Sequence, residues 1–482
     1  MSLSIPVSEI VEQNNNPLLG KHTSWGRILL GDIATIQNGC ALASSQFSKD
    51  GDMPLIRIRD VGKEETDTKY SGEYDEAYVV KPGDLLVGMD GDFNCARWRG
   101  PRGLLNQRVC RIKLTSDVYH PKLLDYVLPG YLKAINDNTS SVTVKHLSSK
   151  SIAEIPLPLP PTDQQQLIVA EIEKQFSRLD EAVAGLKRVK GNLKRYKASV
   201  LKAAVEGKLT EQWRKAHPDV ETGAALLKRI LAEQKKKWEE KNPGKKYKEP
   251  VAPDTSNLPR LPEGWVWATP EMLAQYEDNA ICAGPFGTIF KAKDFRPEGI
   301  PIIFLRHISP GKYLTHKPGF MDKNKWIDLF QPYSVYGGEL LITKLREPPG
   351  ISAIYPFNIG PAMVTPDVMK MSVNNRIAEP RFLMYYFNSQ VSLRTAAELA
   401  FGTTRLRLTL PIFRQLPVPV PPLVEQRIIV DEVERRLSVA EEIDAVIDTN
   451  LKRAERLRQA VLCNAFKGKL LLEVQKNLFR GE

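Results

Sequence analysis

The residue types that usually perform catalysis occur in this chain, but their spacing does not predict an active site. The six histidines, at positions 22, 120, 146, 217, 307 and 316, show neither metal-ligand spacing nor pairing with a nucleophile. The sequence GKL at 207–209 and again at 468–470 lacks the upstream glycine and the hydroxyl residue of a phosphate-binding loop. Asp90 and Asp92 flank Gly91, where carboxylates usually serve a turn. The sequence therefore predicts no catalytic residue and no metal site.

Basic residues are the side chains with the clearest potential for binding. The formal net charge of +11 favours an anionic partner, with nucleic acid ahead of an acidic membrane surface. An alternative interpretation of each basic residue is an exposed or ion-paired surface group. The candidate contacts to such a partner, in predicted loops and strand ends, are Arg57, Arg59, Arg97, Arg99, Arg102, Lys145, Lys291, Lys293, Arg306, Lys344, Arg346, Arg405 and Arg407.

Cysteine usage and hydropathy indicate the cellular setting. The five cysteines show neither paired spacing nor an even count, which is typical of reduced thiols and not of a disulfide framework. Residues 1–24 lack the basic-then-apolar order of a signal peptide. No apolar run approaches the roughly 20 residues that a membrane span needs. We therefore expect a soluble, cytoplasmic protein with no membrane partner.

The elements that must position these side chains are duplicated. Residues 155–210 and 416–471 align without a gap, and 19 of the 56 positions are identical. Each copy begins with a proline run, IPLPLPP or LPVPVPP, which must be extended because proline fixes φ. Gly207 and Gly468 lie near the ends of the copies and predict helix termini. The chain is therefore predicted to be a tandem of two units, each a body followed by a helix.

A long helix with seven-residue apolar spacing follows each proline run. The spaced residues are Ile172, Leu179, Leu186, Leu193 and Val200 in the first helix, and Val433, Ala440, Ile447, Ala454 and Val461 in the second. This spacing predicts a coiled-coil seam about 60 Å long. Residues 182–205 carry basic but no acidic side chains, whereas an acidic cluster lies on the second helix, so we expect antiparallel pairing. The cluster consists of Glu441, Glu442, Asp444 and Asp448. The alternatives are that the helices are simply core, or that their charged faces are solvated.

The predicted fold class is mixed α/β (α+β). Alternating apolar residues at 55–59 and 84–87 predict short strands, and residues 221–241 predict a helix. The predicted segments are an N-terminal segment (1–24), a first body (25–154), a proline run with long helix (155–210), a linker with a short helix (211–262), a second body (263–415) and a distal proline run with long helix (416–482).

The duplicated motifs resemble the specificity subunit of type I restriction–modification enzymes. In that family a Gly-Thr/Ser-x-x loop precedes a Pro-x-Pro-Pro-x-x-x-Gln element and a long helix. The second copy here has GTTRLRL (402–408) and PVPVPPLVEQ (417–426), and the first has SSVTVKHL (140–147) and PLPLPPTDQQ (156–165). The first copy departs from the pattern, since Ser140 replaces the loop glycine. The resemblance covers essentially the whole chain.

The resemblance implies two target-recognition domains separated by two long antiparallel coiled-coil helices, in a pseudo-two-fold tandem repeat. Each domain would read one half of a bipartite double-stranded DNA target. The helices would set the spacing and dock two methyltransferase (M) subunits, and restriction/translocase (R) subunits would join them. The chain itself would be non-catalytic and need no cofactor, because S-adenosylmethionine, ATP and Mg would act in partner subunits. The expected docking residues are Gln165, Ile168, Ile172, Gln426, Ile429 and Val433.

Two other functions remain open from the sequence. One is a non-DNA-binding assembly scaffold whose bodies bind proteins, which the modest positive charge permits. Steep loss of DNA binding with salt would argue against it, because phosphate contacts release counterions. The other is the recognition subunit of a methylation-only defence system, which differs only in its partner subunits.

Overall fold

The structure, a computed structural model, describes residues 5–14, 16–139, 145–285, 290–402 and 406–471. The chain forms two compact units, one of residues 1–187 with 447–482 and the other of residues 188–446. Each unit contains one body together with a part of both long helices. The predicted segments follow the chain in order, whereas the compact units do not, because both helices continue from one unit into the other.

The first unit is built from short strands and helices that lead into a long helix. Its helices are α1 (Val7–Gln13), α2 (Leu30–Ile33), α3 (Pro121–Asp137), α4 (Ser149–Ala153) and the first part of α5 (Thr162–Val205). Its strands are β1 (Gly26–Leu29), β2 (Ala34–Asn38), β3 (Phe47–Ser48), β4 (Met53–Ile56), β5 (Lys69–Tyr70), β6 (Val79–Val80), β7 (Leu85–Gly88), β8 (Cys95–Arg97), β9 (Gly103–Leu105), β10 (Val109–Leu114) and β11 (Pro156–Leu159).

Two larger sheets and one strand pair organise these strands. Their orders are β2-β10-β7-β8 and β3-β5-β4-β9-β6, and β4 pairs with β9 in parallel. The proline run forms β11, which pairs antiparallel with β1 from Leu29↔Pro156 to Gly26↔Leu159. Prolines alternate along β11, and a two-stranded sheet tolerates them because an edge strand does not need every N–H. The predicted extended conformation of this run is confirmed.

The second unit begins inside α5 and repeats this arrangement with longer connections. Its helices are α6 (Glu211–Ala216), α7 (Gly223–Lys241), α8 (Pro270–Leu273), α9 (Lys323–Lys325), α10 (Pro380–Phe387), α11 (Gln390–Leu399), α12 (Leu410–Arg414) and the first part of α13 (Leu423–Phe466). Its strands are β12 (Val266–Ala268), β13 (Ile281–Ala283), β14 (Phe295–Arg296), β15 (Ile300–Ile303), β16 (Ile308–Ser309), β17 (Lys312–Tyr313), β18 (Gly319–Met321), β19 (Ser334–Val335), β20 (Leu340–Thr343), β21 (Ser352–Ile354), β22 (Ala362–Val364), β23 (Val368–Met371) and β24 (Val418–Val420).

The sheets of the second unit correspond to those of the first. Their orders are β13-β23-β20-β21 and β14-β18-β15-β22-β19, with β15 parallel to β22, and β16 and β17 form a separate pair. The second proline run forms β24, paired with β12. The predicted strand at 84–87 is confirmed as β7, and the predicted linker helix as α7. The predicted strand at 55–59 is wrong in its second half, because β4 ends at Ile56 and a 3-10 turn follows at Ile58–Asp60.

The two long helices, of 44 residues each, run antiparallel within each unit. In the first unit Arg458 of α13 forms an ion pair with Asp180 of α5. In the second unit Lys197 Nζ of α5 lies 3.0 Å from Asp444 Oδ2 of α13. Glu441, which was expected to face α5, instead pairs with Lys312 of β17 at 2.7 Å. The predicted antiparallel pairing is confirmed, and Asp444 of the predicted acidic cluster contacts the basic stretch of α5.

The predicted seam differs between the helices. All five spaced residues of α13 are buried, as are Ile172, Leu193 and Val200 of α5, but Leu179 and Leu186 are only partly buried. Both helices end as predicted, at glycines with positive φ, +68° for Gly207 and +71° for Gly468. A Cβ at Gly207 would lie 3.0 Å from the Trp265 ring, and one at Gly468 would lie 2.7 Å from the His22 ring. The helix ends therefore pack closely against the start of the adjoining body in both units.

Candidate nucleic-acid interface

Each body carries the same short turn directly after its central strand. A 3-10 turn at Ile58–Asp60 follows β4, and another at Leu305–His307 follows β15. Both strands pair in parallel with a later strand, β4 with β9 and β15 with β22. The two turns therefore occupy equivalent places, and Arg59 and Arg306 are equivalent residues within them.

The last residue of each turn closes it in the same way. The buried Asp60 carboxylate accepts a hydrogen bond from the backbone N–H of Arg57 at 3.0 Å. Nδ1 of the buried His307 accepts one from the backbone N–H of Phe304 at 3.3 Å. Burial raises the pKa of the Asp60 carboxyl and lowers the pKa of the His307 imidazole. Two different residue types thus supply the same acceptor.

The two equivalent arginines are tethered alike and remain exposed. Arg59 Nη2 donates to Thr68 Oγ1 at 3.2 Å, and Arg306 Nη2 donates to the Lys317 carbonyl oxygen at 2.9 Å. Thr68 and Lys317 each lie just before the strand next to the central one, β5 and β18. The Arg306 guanidinium also lies 4.0 Å from the Phe304 ring centroid, a distance at which cation–π attraction operates. Each guanidinium is therefore held in place through only part of its donor set.

The second body brings further predicted residues to the same region. Arg346 Nη1 donates to the Ile308 carbonyl oxygen at 2.6 Å, which joins the loop after β20 to the turn. The Lys344 carbonyl oxygen accepts a hydrogen bond from the Leu408 N–H at 3.0 Å. The backbone of Arg407 forms isolated β-bridges with Leu345 and with Phe401. Burial, and then the nearby Arg407, lower the pKa of Lys344. Four predicted cationic residues thus belong to one connected group, whereas Arg405 lies outside the described residues.

The corresponding region of the first body contains residues that the sequence did not predict as DNA contacts. His146 Nδ1 lies 2.6 Å from Asp90 Oδ1, and Arg108 Nε lies 3.5 Å from Asp90 Oδ2. Asp90 and His146 bridge as Leu345 and Arg407 do in the second body. Lys145, which was predicted, turns instead towards α3, where its Nζ donates to the Asn136 carbonyl oxygen at 2.6 Å. The position of His146 inside the SSVTVKHL motif was the available signal.

Other predicted contacts of the first body are engaged within the fold. Arg97 Nε pairs with Asp125 at 2.6 Å, and its other nitrogens donate to the Gly83 and Pro121 carbonyl oxygens. Arg102 pairs with Glu76 at 2.8 Å, and Arg99 lies 3.8 Å from Glu64. Arg57 is half-buried and bonds to Thr68. Arg97 therefore has a structural role, whereas Arg99 and Arg102 remain largely exposed.

Lys291 and Lys293 of the second body lie beside the 3-10 turn Ala292–Asp294, and both are exposed. Their neighbour Asp294 is buried and pairs with Lys325. In the parts of the chain that the structure describes, no group of three or more His, Cys, Asp or Glu residues is placed to hold a metal ion. None of the helices in those parts combines the length and the apolar character of a membrane span.

Known proteins share both the sequence and the architecture. The family profile described as "Type I restriction modification DNA specificity domain" matches residues 23–188 and 302–445. The EcoBI specificity subunit of Escherichia coli is 35% identical over 475 residues, which cover 98% of this chain and 91% of the relative. This chain belongs to the type I specificity-subunit family.

More distant specificity subunits and a solved structure agree with that assignment. The EcoKI specificity subunit of Escherichia coli strain K12 is 21% identical over 480 residues, 92% of this chain and 89% of that protein. A solved chain from work on complex assembly and conformational transition of the type I R-M system has a TM-score of 0.60 at 16% identity. That comparison covers 93% of this chain and 99% of the solved chain, and it shows a shared fold.

In this specificity subunit the six predicted docking residues lie inside their own unit. Ile168 and Ile172 belong to the core of the first unit, and Ile429 and Val433 to that of the second. The buried Gln165 amide accepts from His120 N–H at 2.7 Å and donates to the Val118 and Pro160 carbonyl oxygens. Gln426 makes the same three bonds, to Glu379, Ile377 and Pro421. Docking through these residues stays a prediction, and their side chains hold each helix to its own body.

The adjoining position differs between the units of the specificity subunit. Trp25 Nε1 donates to Gln164 Oε1 at 3.0 Å, and Trp265 Nε1 donates to Glu425 Oε2 at 3.0 Å. Glu425 is fully buried, and its charge is balanced by Arg214, whose Nη2 lies 2.8 Å from Glu425 Oε1. The same helix–body joint is thus neutral in one unit and ionic in the other.

Proposed function

We propose that this specificity subunit reads a bipartite double-stranded DNA target, one half with each body. The observation that carries the proposal is the duplicated turn, which presents an exposed, tethered arginine in each body. The other proposed DNA contacts supply phosphate contacts that set the register of the protein on the duplex. They are Arg57, Arg99, Arg102, Lys145, Lys291, Lys293, Lys344, Arg346, Arg405 and Arg407.

Differences around the shared turn support two different half-sites. The first body has Asp90, His146 and Arg108 in contact, so it presents a carboxylate acceptor together with two nitrogen donors. The second body has Leu345 and Arg407 at the bridging positions. Base edges in the major groove differ in their patterns of donors and acceptors. A common scaffold with different side chains at these positions would therefore select different bases.

The long helices are the proposed docking surface for methyltransferase subunits. Large apolar side chains lie exposed on them: Val189 and Tyr196 of α5, and Val439 and Ile443 of α13, are each at least 42% exposed. Val439 and Ile443 are four residues apart and so share a helix face. The methyltransferase partner would supply S-adenosylmethionine and the adenine N6 chemistry, and a restriction/translocase partner would supply ATP-dependent translocation and cleavage. The specificity subunit would contribute recognition and spacing alone.

The proposal can be tested by selection from random duplex DNA. The full chain is purified with the methyltransferase subunit encoded beside it, and bound duplexes are sequenced after selection at several salt concentrations. We expect one motif with two defined halves and a fixed undefined spacer. Affinity should fall steeply between about 50 and 200 mM salt, because each neutralised phosphate releases counterions. A stable complex that enriches no sequence and shows no salt dependence would support the scaffold function instead.

A further inference from the structure

We propose that Arg59 and Arg306 are the equivalent base-reading residues of the two bodies, each contacting a guanine. We further infer that Asp60 and His307 are the positioning residues that hold the two turns. This inference rests on the proposed function and assigns the residue through which each half-site is read. It is carried by the juxtaposition of three features in both bodies: the turn, its backbone cap and its tether.

The turn places each arginine at the end of a buried strand. Ile56 and Ile303 are fully buried, and the exposed arginine follows three residues later. The hydrogen bond to the Arg57 N–H or the Phe304 N–H closes each turn through residues of the turn itself. The two bodies share little sequence, yet both have an arginine at this position. A general surface residue would not require the same cap and tether twice.

The tethers leave a free guanidinium edge on both arginines. Each uses one Nη2 hydrogen bond to the segment before the neighbouring strand, and no ion pair involves either side chain within the described ranges. A fixed guanidinium with free N–H groups suits a bidentate contact to guanine O6 and N7, the commonest base-specific arginine contact. Phosphate contacts set the register of the protein on the duplex but carry no sequence information.

Other arginines of the bodies lack this combination. The three guanidinium nitrogens of Arg97 donate to Asp125 and to two carbonyl oxygens, so no free edge remains for a bidentate contact. Arg102 is paired with Glu76. Arg99 of the first body is 77% exposed in its side chain and has only a 3.8 Å pairing to Glu64. Arg296 of the second body is exposed and donates only to carbonyl oxygens of its own segment. Arg296 is not among the proposed DNA contacts and therefore serves as a control of equal charge.

The test applies the random-duplex selection to the full chain in complex with its methyltransferase subunit. Arg59→Ala is expected to reduce discrimination at one guanine of one half-site by about tenfold to a hundredfold, and Arg306→Ala to do so only in the other half. Arg59→Lys and Arg306→Lys keep the charge but lose the planar fork, so they should lose the same base preference. Arg296→Ala, at an exposed arginine that is not a proposed DNA contact, should leave both half-sites defined.

The positioning role is tested by conservative rescue. Asp60→Asn and His307→Asn retain an acceptor for the capped N–H and should keep the selected guanine, whereas Asp60→Leu and His307→Leu should lose it. If the unaltered chain selects no motif, the proposed function itself fails. If the unaltered chain selects a motif, and the Ala and Lys variants of Arg59 and Arg306 select the same motif, the assignment of these two arginines is overturned. It is also overturned if one of these variants relaxes both half-sites.

Discussion

At the scale of single residues, the two bodies close the same turn with different side chains. A carboxylate closes the turn in the first body and an imidazole closes it in the second. Both acceptors are buried, so both must be satisfied locally to avoid the cost of an unpaired polar group. The imidazole acts as an acceptor through Nδ1, which requires that nitrogen to be unprotonated. Of the two turns, the one in the second body therefore depends on the protonation state of a histidine.

That dependence predicts how stability changes with pH. Burial is the largest cause that lowers the pKa of His307 below 6.5, followed among the lowering causes by the nearby Arg306 and His316. The unfolded chain therefore binds a proton that the folded chain resists, and this contribution to stability is lost as pH falls below about 6.5. Urea unfolding at pH 7.5 and pH 5.5 should show a smaller loss of stability for His307→Asn than for the unaltered chain. His217→Asn, in an exposed histidine, is the control, and equal losses in all three proteins would contradict the prediction.

The residue scale also shows where sequence reasoning failed. The alternation of residues 55–59 fits a strand, and only the buried Asp60, bonding back to Arg57, ends that strand at Ile56. Arg59 and Arg306 each lie three residues after a buried isoleucine, but the residues beside them differ, so the sequence alone does not distinguish them from the other basic residues. His146 and Asp90 are 56 positions apart, so their contact depends on the fold and not on any local pattern.

At the scale of elements, the proline run, the buried glutamine and the long helix form one joint that the chain uses twice. Gln165 and Gln426 each bond the helix start to the end of the proline run and to the loop before the body helix α3 or α10. This explains why the sequence repeat extends from the prolines into the helix. Apolar spacing does not distinguish a helix packed on its own body from one packed on a partner, so docking through the repeat stays a prediction.

Removing a joint glutamine should destabilise the chain measurably. Gln426→Leu deletes two buried hydrogen bonds and one partly buried one. It leaves the Glu379 N–H and two carbonyl oxygens without their partner, at an expected cost of about 3 kcal/mol. Gln165→Leu should behave in the same way in the first unit. Urea unfolding measures both, with Gln459→Leu on the exposed face of α13 as the control, expected within about 0.5 kcal/mol of the unaltered chain. A loss at Gln426 no larger than that of the control would show that the joint is not needed.

Several elements were predictable because strong local rules determine them. Consecutive prolines can only be extended, a glycine with positive φ ends a helix, and a seven-residue apolar spacing buries one face. Leu179 and Leu186 are less buried than this spacing predicts, and the middle of α5 carries Gly185 and Gly191, where a Cβ would meet no atom within 4 Å. The sequence pattern indicates a seam, but burial at each point depends on what the other elements place against it.

At the scale of the whole molecule, duplication accounts for both the fold and the proposed function. The two units share the turn, the proline strand, the glutamine joint and the glycine helix end, and they differ at the side chains beside the turn. The shared features would position the two base-reading arginines, and the differing side chains are proposed to select the bases of each half-site. Sequence alone identified the duplication and the family resemblance, because both reside in the conserved joint. It named Arg59 and Arg306 only among the other candidate contacts and could not single them out, because the fold determines which basic residues stay exposed and tethered.

The most direct test of this account is a genome-wide map of N6-methyladenine in cells that express the chain with the methyltransferase encoded beside it. We expect methylation at one motif made of two short defined halves and a fixed undefined spacer, because each of the two bodies would read one half. Methylation at an undivided motif, or none despite a stable complex, would contradict the claim that each body reads its own half of the target.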